Sequence, residues 1–287
     1  MNNYKLTKNF LTKDISSIKI GGVIPYFYDI YNKTGLKEVF KIIKENKFTY
    51  YVVGGATKIL FPDYFFRNAL LRISNDYIKF ENDQVIVGAG TKLKKLASLM
   101  INNGYEGFSG LLSIPGNISG ALINNAGAFG DEISNYLISV TCFYEGQFIE
   151  LTTKDMVFSY RKSSLQDTKY IIYEAKFKCV KGNFKTIKNK ALENINLRIN
   201  AQPQNVLTLG STFKNMLERS VAKDLDSLYV KGLNLEDVKV SNKHANFIIN
   251  KQNASQKNFL NILVILRSLV YNKFKYIPEN EVIILRW

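Results

Sequence analysis

Apolar positions along this chain switch repeatedly between a period of two and a period of three to four. In SIKIGGVIPYFYDI, residues 17–30, they predict two short strands around Gly21 and Gly22. TGLKEVFKIIKENKF carries apolar side chains at 36, 39, 40, 42 and 43, the spacing of an amphipathic helix. YYVVGG predicts a buried strand ending on glycines, and NALLRIS and DQVIVGAG predict two more. TKLKKLASLMINNGY predicts a helix stopped by Gly104. YLISVTCFYEGQFIELTT predicts a hairpin turning at Glu145-Gly146, and YIIYEAKFKCV a strand pair. Residues 181–200 predict a linking helix, and ERSVAKDLDSL a short one. FIINK reads as a strand, SQKNFLNILVILRSLVYNKF as a long helix, and NEVIILRW as a closing strand. The mixture predicts an α+β protein of two or three lobes, without internal repeats or heptads.

Composition sharpens this only in places. At 287 residues, 46% of them hydrophobic, the chain is long enough for about two cores and is not disordered. Its N-terminus is polar, and no run approaches the ~18 apolar residues of a membrane helix, so a soluble cytoplasmic protein is expected. Cys142 and Cys179 sit in apolar runs without metal-ligand spacing and read as small buried hydrophobes; no metal site is expected. The net charge of +15 suggests nucleic acid, but its distribution does not. From Leu96 to Thr153 there is no Lys or Arg, a neutral island in a basic background. A small anionic ligand served by a few cations fits that pattern as well.

Within and near the island lie two glycine-rich segments. VVGGATKIL follows a predicted strand but lacks the Gly-x-Gly-x-x-Gly of a Rossmann turn and the Gly-Lys-Ser/Thr of a phosphate loop. Gly54, Gly55, Ala56 and Thr57 still present successive amides with little side chain in the way, a concavity suited to phosphate. SIPGNISGALINNAGAFG extends the same property, with Asn125 placed to reach polar ring or ribose groups. Two such segments favour a large ligand with flat and anionic parts, as a flavin dinucleotide has. Ser211, in GSTFKN, is in no nucleophile elbow, and the chain has one histidine, His244, so a hydrolytic serine is disfavoured.

VVGGATKIL, SIPGNISGALINNAGAFGDEI, FSYRKSS, RINAQP, GSTFKN, VSNKHANFIIN and PENEV occur in an order that resembles the UDP-N-acetylenolpyruvoylglucosamine reductases over nearly the whole chain. Arg161 and Ser211 stand 50 positions apart, which resembles the shorter, type II branch. The resemblance implies a two-lobed FAD-binding domain of the PCMH type followed by an α+β substrate-binding domain. The corresponding divisions are FAD-binding subdomains at 1–75 and 76–198 and a substrate-binding domain at 199–287. It implies FAD and NADPH as cofactors, a monomer, and reduction of an enolpyruvyl ether without nucleic-acid or membrane partners.

The resemblance implies Arg161, Ser211 and Glu281 as the catalytic set: a carboxylate partner, a proton donor to C2, and a carboxyl that is protonated, paired with Arg161, or both. It implies flavin contacts from Gly54, Gly55, Ala56, Thr57, Lys58, Ile59 and Leu60. Further contacts would come from Ile114, Pro115, Gly116, Ser119, Gly120 and Ala121, and from Asn125, Ala126 and Gly127. Tyr160, Lys214, Asn215 and Lys231 are implied as substrate-binding. The chain departs from the family pattern, which usually reads Gly-Gly-Gly-Ser-Asn where this one has Gly54-Gly55-Ala56-Thr57-Lys58, and has Ser113 and Ser119 in place of glycines. The alternatives are another FAD-dependent oxidoreductase of this fold and a non-catalytic flavin- or nucleotide-binding homologue.

Overall fold

The structure, a computed structural model, describes residues 2–65, 67–166 and 168–285. The chain divides into two compact units. Met1–Asn9, Pro25–Gly55 and Arg67–Arg198 form the first; Phe10–Ile24, Ala56–Phe66 and Ile199–Trp287 form the second. Residues 10–24 and 56–66 therefore cluster with the C-terminal third, although they precede it by a long stretch of sequence. Each unit mixes helices and sheets, in keeping with the expected α+β class.

In the first unit a four-stranded sheet has the order Tyr4–Leu11, Val23–Ile30, Ala69–Ile73, Tyr50–Val53. Val23–Ile30 and Tyr50–Val53 both run parallel to Ala69–Ile73. The helix Lys33–Glu45 begins at Asn32, whose Oδ1 accepts from the Gly35 amide at 2.9 Å, and it buries Leu36, Val39 and Ile43. A five-stranded antiparallel sheet follows, ordered Gln147–Thr152, Leu137–Tyr144, Ile171–Lys178, Gln84–Gly88, Ile78–Glu81. Its hairpin turns as predicted: Glu145 (φ 48°) and Gly146 (φ 96°) fill a two-residue loop whose positive φ angles match the right-handed twist of the flanking strands. The helix Leu93–Asn102 ends where predicted, with Gly104 N–H donating to Ile101 and Tyr105 N–H to Met100. That paired closure uses Gly104 at φ 68°. Edge-to-face aromatics, Phe40 on Phe143 and Phe108 on Phe177, lie in or against the core of this unit.

The second unit holds an antiparallel sheet ordered Leu207–Ser211, Phe247–Asn250, Val238–Val240, Asn234–Leu235. The long helix Gln256–Phe274 starts on a reciprocal cap between Ser255 and Asn258. It buries Phe259, Ile262, Leu263 and Leu266 in one core with Val238, Val240 and Ile248. A separate parallel pair joins Ile59–Leu60 to Ile283–Ile284. Arg286 and Trp287, the end of the predicted closing strand, lie outside the described residues.

One strand not read from the sequence appears near the N-terminus, and two expectations are corrected: YIIYEAKFKCV forms the single strand Ile171–Lys178 rather than a pair, and the strand expected before Gly21 is absent. Tyr4–Leu11 is a strand although it reads as polar; it sits at the sheet edge, with much of its length exposed, so its backbone ladder rather than an apolar stripe holds it. Ile18 and Ile20 are buried, but residues 17–22 form no strand. There the Gly22 amide donates to the Pro62 carbonyl at 2.7 Å, and a Cβ at Gly22 would lie 2.4 Å from the Tyr64 carbonyl oxygen. Close approach to residues 62–64 replaces strand pairing.

Both cysteines are buried, as expected, and free. Burial pushes the Cys142 thiol up to about 12 and raises Cys179, with Asp83 adding to the effect. At pH 8 Cys142 should therefore stay unlabelled by a thiolate-selective reagent until the chain unfolds, which peptide mass spectrometry after timed quenching would show. Rapid labelling of native Cys142 would contradict this burial.

Candidate functional site

The residues singled out above fall into two sets, one in each unit. In the first unit the glycine segments pack against each other. A Cβ at Gly54 would lie 3.1 Å from Ser119 Oγ, and one at Gly55 would lie 3.0 Å from Gly116 Cα, so neither position has room for a side chain without movement. Gly120, by contrast, would present a Cβ with nothing within 4 Å. The amides of Ile118 and Ser119 donate to the Thr91 and Ala89 carbonyls. That part of the second segment is thus spent on the fold, and its open backbone is shorter than the sequence suggests. Ile114 closes a turn onto Leu111, Pro115 is exposed, and Ala121 and Ala126 join across the end of the short helix Ile118–Ile123 at 2.8 Å. Gly127 opens a strand pairing with Asp131–Glu132.

Asn125 is fully buried at φ 41°. Its Nδ2 donates to Glu132 Oε2 at 2.8 Å and to the Ser159 carbonyl at 3.1 Å. Its Oδ1 finds no donor among the described residues, which leaves a buried acceptor for a ligand to satisfy. The glycine walls and this acceptor fit a flavin nucleotide.

The bond to Ser159 fixes a small hairpin in which Phe158–Ser159 pairs with Lys162–Ser163. Ser163 Oγ adds a bond to the Ile123 carbonyl at 2.9 Å. The two-residue loop is Tyr160-Arg161, and Arg161 holds φ 54°, a left-handed conformation that costs an L-residue about 1–2 kcal/mol. Its guanidinium lies 4.8 Å from the centre of the half-exposed Tyr160 ring.

In the second unit three separate sequence segments meet. Leu207–Ser211 pairs Thr208 with Ile249 and Ser211 with Phe247, so one extra residue bulges out on the first strand. Gly210, at φ 75°, supplies the bend that aims Ser211. Asn246 clamps the next turn: its Oδ1 accepts from the Phe213 amide at 2.9 Å and its Nδ2 donates to the Phe213 carbonyl at 2.8 Å. The Glu281 amide donates to the Thr212 carbonyl at 2.8 Å, and the Ile283 amide to the Lys58 carbonyl at 2.8 Å.

Lys58 then brings the set together. Its Nζ lies 2.7 Å from Glu281 Oε1 and donates to the Ser211 carbonyl at 2.9 Å. Glu281 is thus paired with Lys58, a residue that the resemblance implies as a flavin contact. Ala56 is buried at φ 49°, so the missing family glycine does fall where left-handed backbone is needed. Ile59 pairs with Ile283, and Leu60 is a fully buried core residue. Thr57 is half-buried beside them in sequence.

The remaining assignments are less available to a ligand than expected. Lys214 pairs with Glu279 at 2.6 Å and Lys231 with Asp226 at 2.7 Å. Asn215 Oδ1 accepts from the Val221 amide at 3.1 Å. Sequence reasoning missed Asn246 as a positioning residue; its signal was an asparagine inside the VSNKHANF motif, ahead of an apolar strand.

A flavin-binding oxidoreductase of α+β architecture is the class this fold and these segments define. Residues 32–150 match the profile of an FAD binding domain, and residues 202–285 match the C-terminal domain of UDP-N-acetylenolpyruvoylglucosamine reductase. The UDP-N-acetylenolpyruvoylglucosamine reductase of Clostridium tetani is 33% identical over 279 residues, covering 96% of this chain and 91% of that one. That of Clostridioides difficile is 32% identical, covering 94% and 90%. The crystal structure of the Thermus caldophilus reductase superposes with a TM-score of 0.86 at 25% identity, covering 99% of this chain and all of that one. The chain belongs to the UDP-N-acetylenolpyruvoylglucosamine reductase family. It is an FAD-dependent oxidoreductase.

His244 shows the cost of a buried titrating group in the second unit. Burial holds its imidazole below the ordinary histidine value; Lys231 adds to this and Asp226 opposes it. Its Nδ1 accepts from the Asn246 amide at 3.2 Å, beside the clamp on Phe213. With the folded value depressed, the unfolded chain binds the proton more readily. The stability His244 contributes is complete above about pH 6.5 and is lost as pH falls through its folded value. His244→Gln should flatten the acid side of a Tm-against-pH profile, and an unchanged slope below pH 6.5 would contradict the assignment.

Proposed function

We propose that the chain reduces UDP-N-acetylglucosamine enolpyruvate to UDP-N-acetylmuramate at the expense of NADPH, a step in peptidoglycan precursor synthesis. The observation that supports this best is the convergence of Ser211 and Glu281 on Lys58, which joins three distant motifs of the resemblance. Bound FAD would supply the hydride chemistry between NADPH and C3 of the enolpyruvyl ether. Gly54, Gly55 and Asn125 are the residues we assign to holding it, with the cradle residues 116–120.

On this reading the electron pair freed at C2 is drawn toward the substrate carboxylate, and C2 must gain a proton. Ser211 donates that proton; a carbanion is basic enough to take it from an alcohol, so no histidine is required. Arg161 receives the carboxylate with its planar fork. Its left-handed backbone is the kind of strain kept where a side chain must be aimed. Glu281, as a carboxylate held by Lys58, is the third member of the set. Tyr160, Lys214, Asn215 and Lys231 are assigned to the nucleotide-sugar, the two lysines by exchanging their present carboxylates for phosphate. Among the described residues no helix is long and apolar enough to cross a membrane. We take the protein to act as a cytoplasmic monomer.

The reading is tested by NADPH oxidation in the presence and absence of the enolpyruvyl substrate: loss of absorbance that depends on that substrate is expected, and none would refute it. Ser211→Ala should leave flavin reduction by NADPH near its original rate. Reoxidation by the enolpyruvyl substrate should fall about 10²–10⁴-fold, the usual worth of a positioned acid. Stopped-flow flavin absorbance follows both halves, and equal loss in both would make Ser211 structural. Arg161→Gly should abolish turnover while folding stability holds or rises by up to about 1 kcal/mol of relieved backbone strain, read as an unchanged or higher Tm. A large fall in Tm would show that Arg161 serves the fold.

A further inference from the structure

Lys58 lies in the first glycine-rich segment, VVGGATKIL, and its charge is spent on groups of the second unit. Its ammonium meets a carboxylate and a main-chain carbonyl in one place: Glu281 Oε1 at 2.7 Å and the Ser211 carbonyl at 2.9 Å. The side chains of Lys58 and Glu281 are 26% and 15% exposed, so the pair is largely shielded from water and its geometry matters more than a surface pair's would. The backbone around it is closed as well. The Lys58 carbonyl accepts from Ile283, Thr212 accepts from Glu281, and a Cβ at Gly210 would lie 3.4 Å from Lys58 Nζ. Gly210 thus covers the ammonium from the strand that carries Ser211.

We propose that Lys58 is a positioning residue for the second half-reaction, holding Glu281 as a carboxylate in one orientation and fixing the main chain that aims Ser211. The proposal rests on the reductase reading above. Charge is essential because Nζ satisfies two acceptors at once. A neutral side chain of similar length removes this ion pair from Glu281 and this donor from the Ser211 carbonyl. Arginine keeps the charge and the donors, although its fork reaches farther. A residue acting through Glu281 has a signature that a general packing role lacks: its effect disappears when Glu281 has already been removed.

The test is a double-mutant cycle on the FAD-loaded protein with Lys58→Met, Glu281→Gln and both together, plus Lys58→Arg. Flavin reduction by NADPH and reoxidation by the enolpyruvyl substrate are followed separately. Lys58→Met should slow reoxidation at least about tenfold more than it slows reduction, the scale of one lost positioning interaction. It should add less than about twofold to the loss already caused by Glu281→Gln, and Lys58→Arg should recover part of the rate. Thermal unfolding of the four proteins gives a readout independent of activity: the Tm loss in the double variant should be smaller than the two single losses combined. Additive effects on reoxidation, or equal slowing of both half-reactions, overturn the proposal while leaving the reductase reading intact. Failure of the unmodified protein to reoxidise its flavin with the enolpyruvyl substrate overturns the reductase reading, and this proposal with it.

Discussion

One ammonium group organises the chemistry-bearing part of the second unit. Lys58 comes from the glycine-rich segment near the start of the chain, Ser211 from a bulged strand, and Glu281 from the last turn before the C-terminus, yet Nζ reaches the latter two at once. The parallel pairing of Ile59–Leu60 with Ile283–Ile284 sets the register that makes this possible. A slip of one residue would turn Lys58 to the opposite face and separate it from Glu281. Losing either partner removes this contact from a largely shielded charge, which costs more than the net worth of the pair.

The first unit follows a different constraint, close approach of backbone to backbone. A Cβ at Gly54 or Gly55 would crowd Ser119 or Gly116 and require movement, and Asn125 ties the end of the second glycine segment to the Arg161 hairpin through the Ser159 carbonyl. Arg161 holds left-handed backbone in its hairpin loop, and the Asn125 oxygen is buried without a donor among the described residues, a local cost that a bound ligand would relieve.

Much of this was legible in the chain itself. The helix over residues 33–45, the end of the next helix at Gly104 and the hairpin at Glu145-Gly146 follow from period and turn chemistry, because local forces alone decide them. The edge strand Tyr4–Leu11 was not legible, since an exposed edge carries no apolar alternation to read. The Lys58–Glu281 pair was hidden for another reason. The two residues are more than 200 positions apart, and nothing in either local pattern names the other. Leu60 likewise reads as part of a ligand segment, yet its side chain is taken by the core of the second unit. The candidate motifs could be found one by one; which of them share a charge could not.

On the proposed reading, Ser211, Glu281 and Lys58 serve the transfer from reduced flavin to an enolpyruvyl ether. The most direct measurement isolates that transfer from the nicotinamide step. The FAD-loaded protein, reduced anaerobically with dithionite to the endpoint, is mixed with UDP-N-acetylglucosamine enolpyruvate while the oxidised flavin band and the product are quantified together. Return of the oxidised band with one UDP-N-acetylmuramate formed per flavin is the predicted result. A flavin that stays reduced until oxygen is admitted, with the enolpyruvyl ether recovered unchanged, would contradict it.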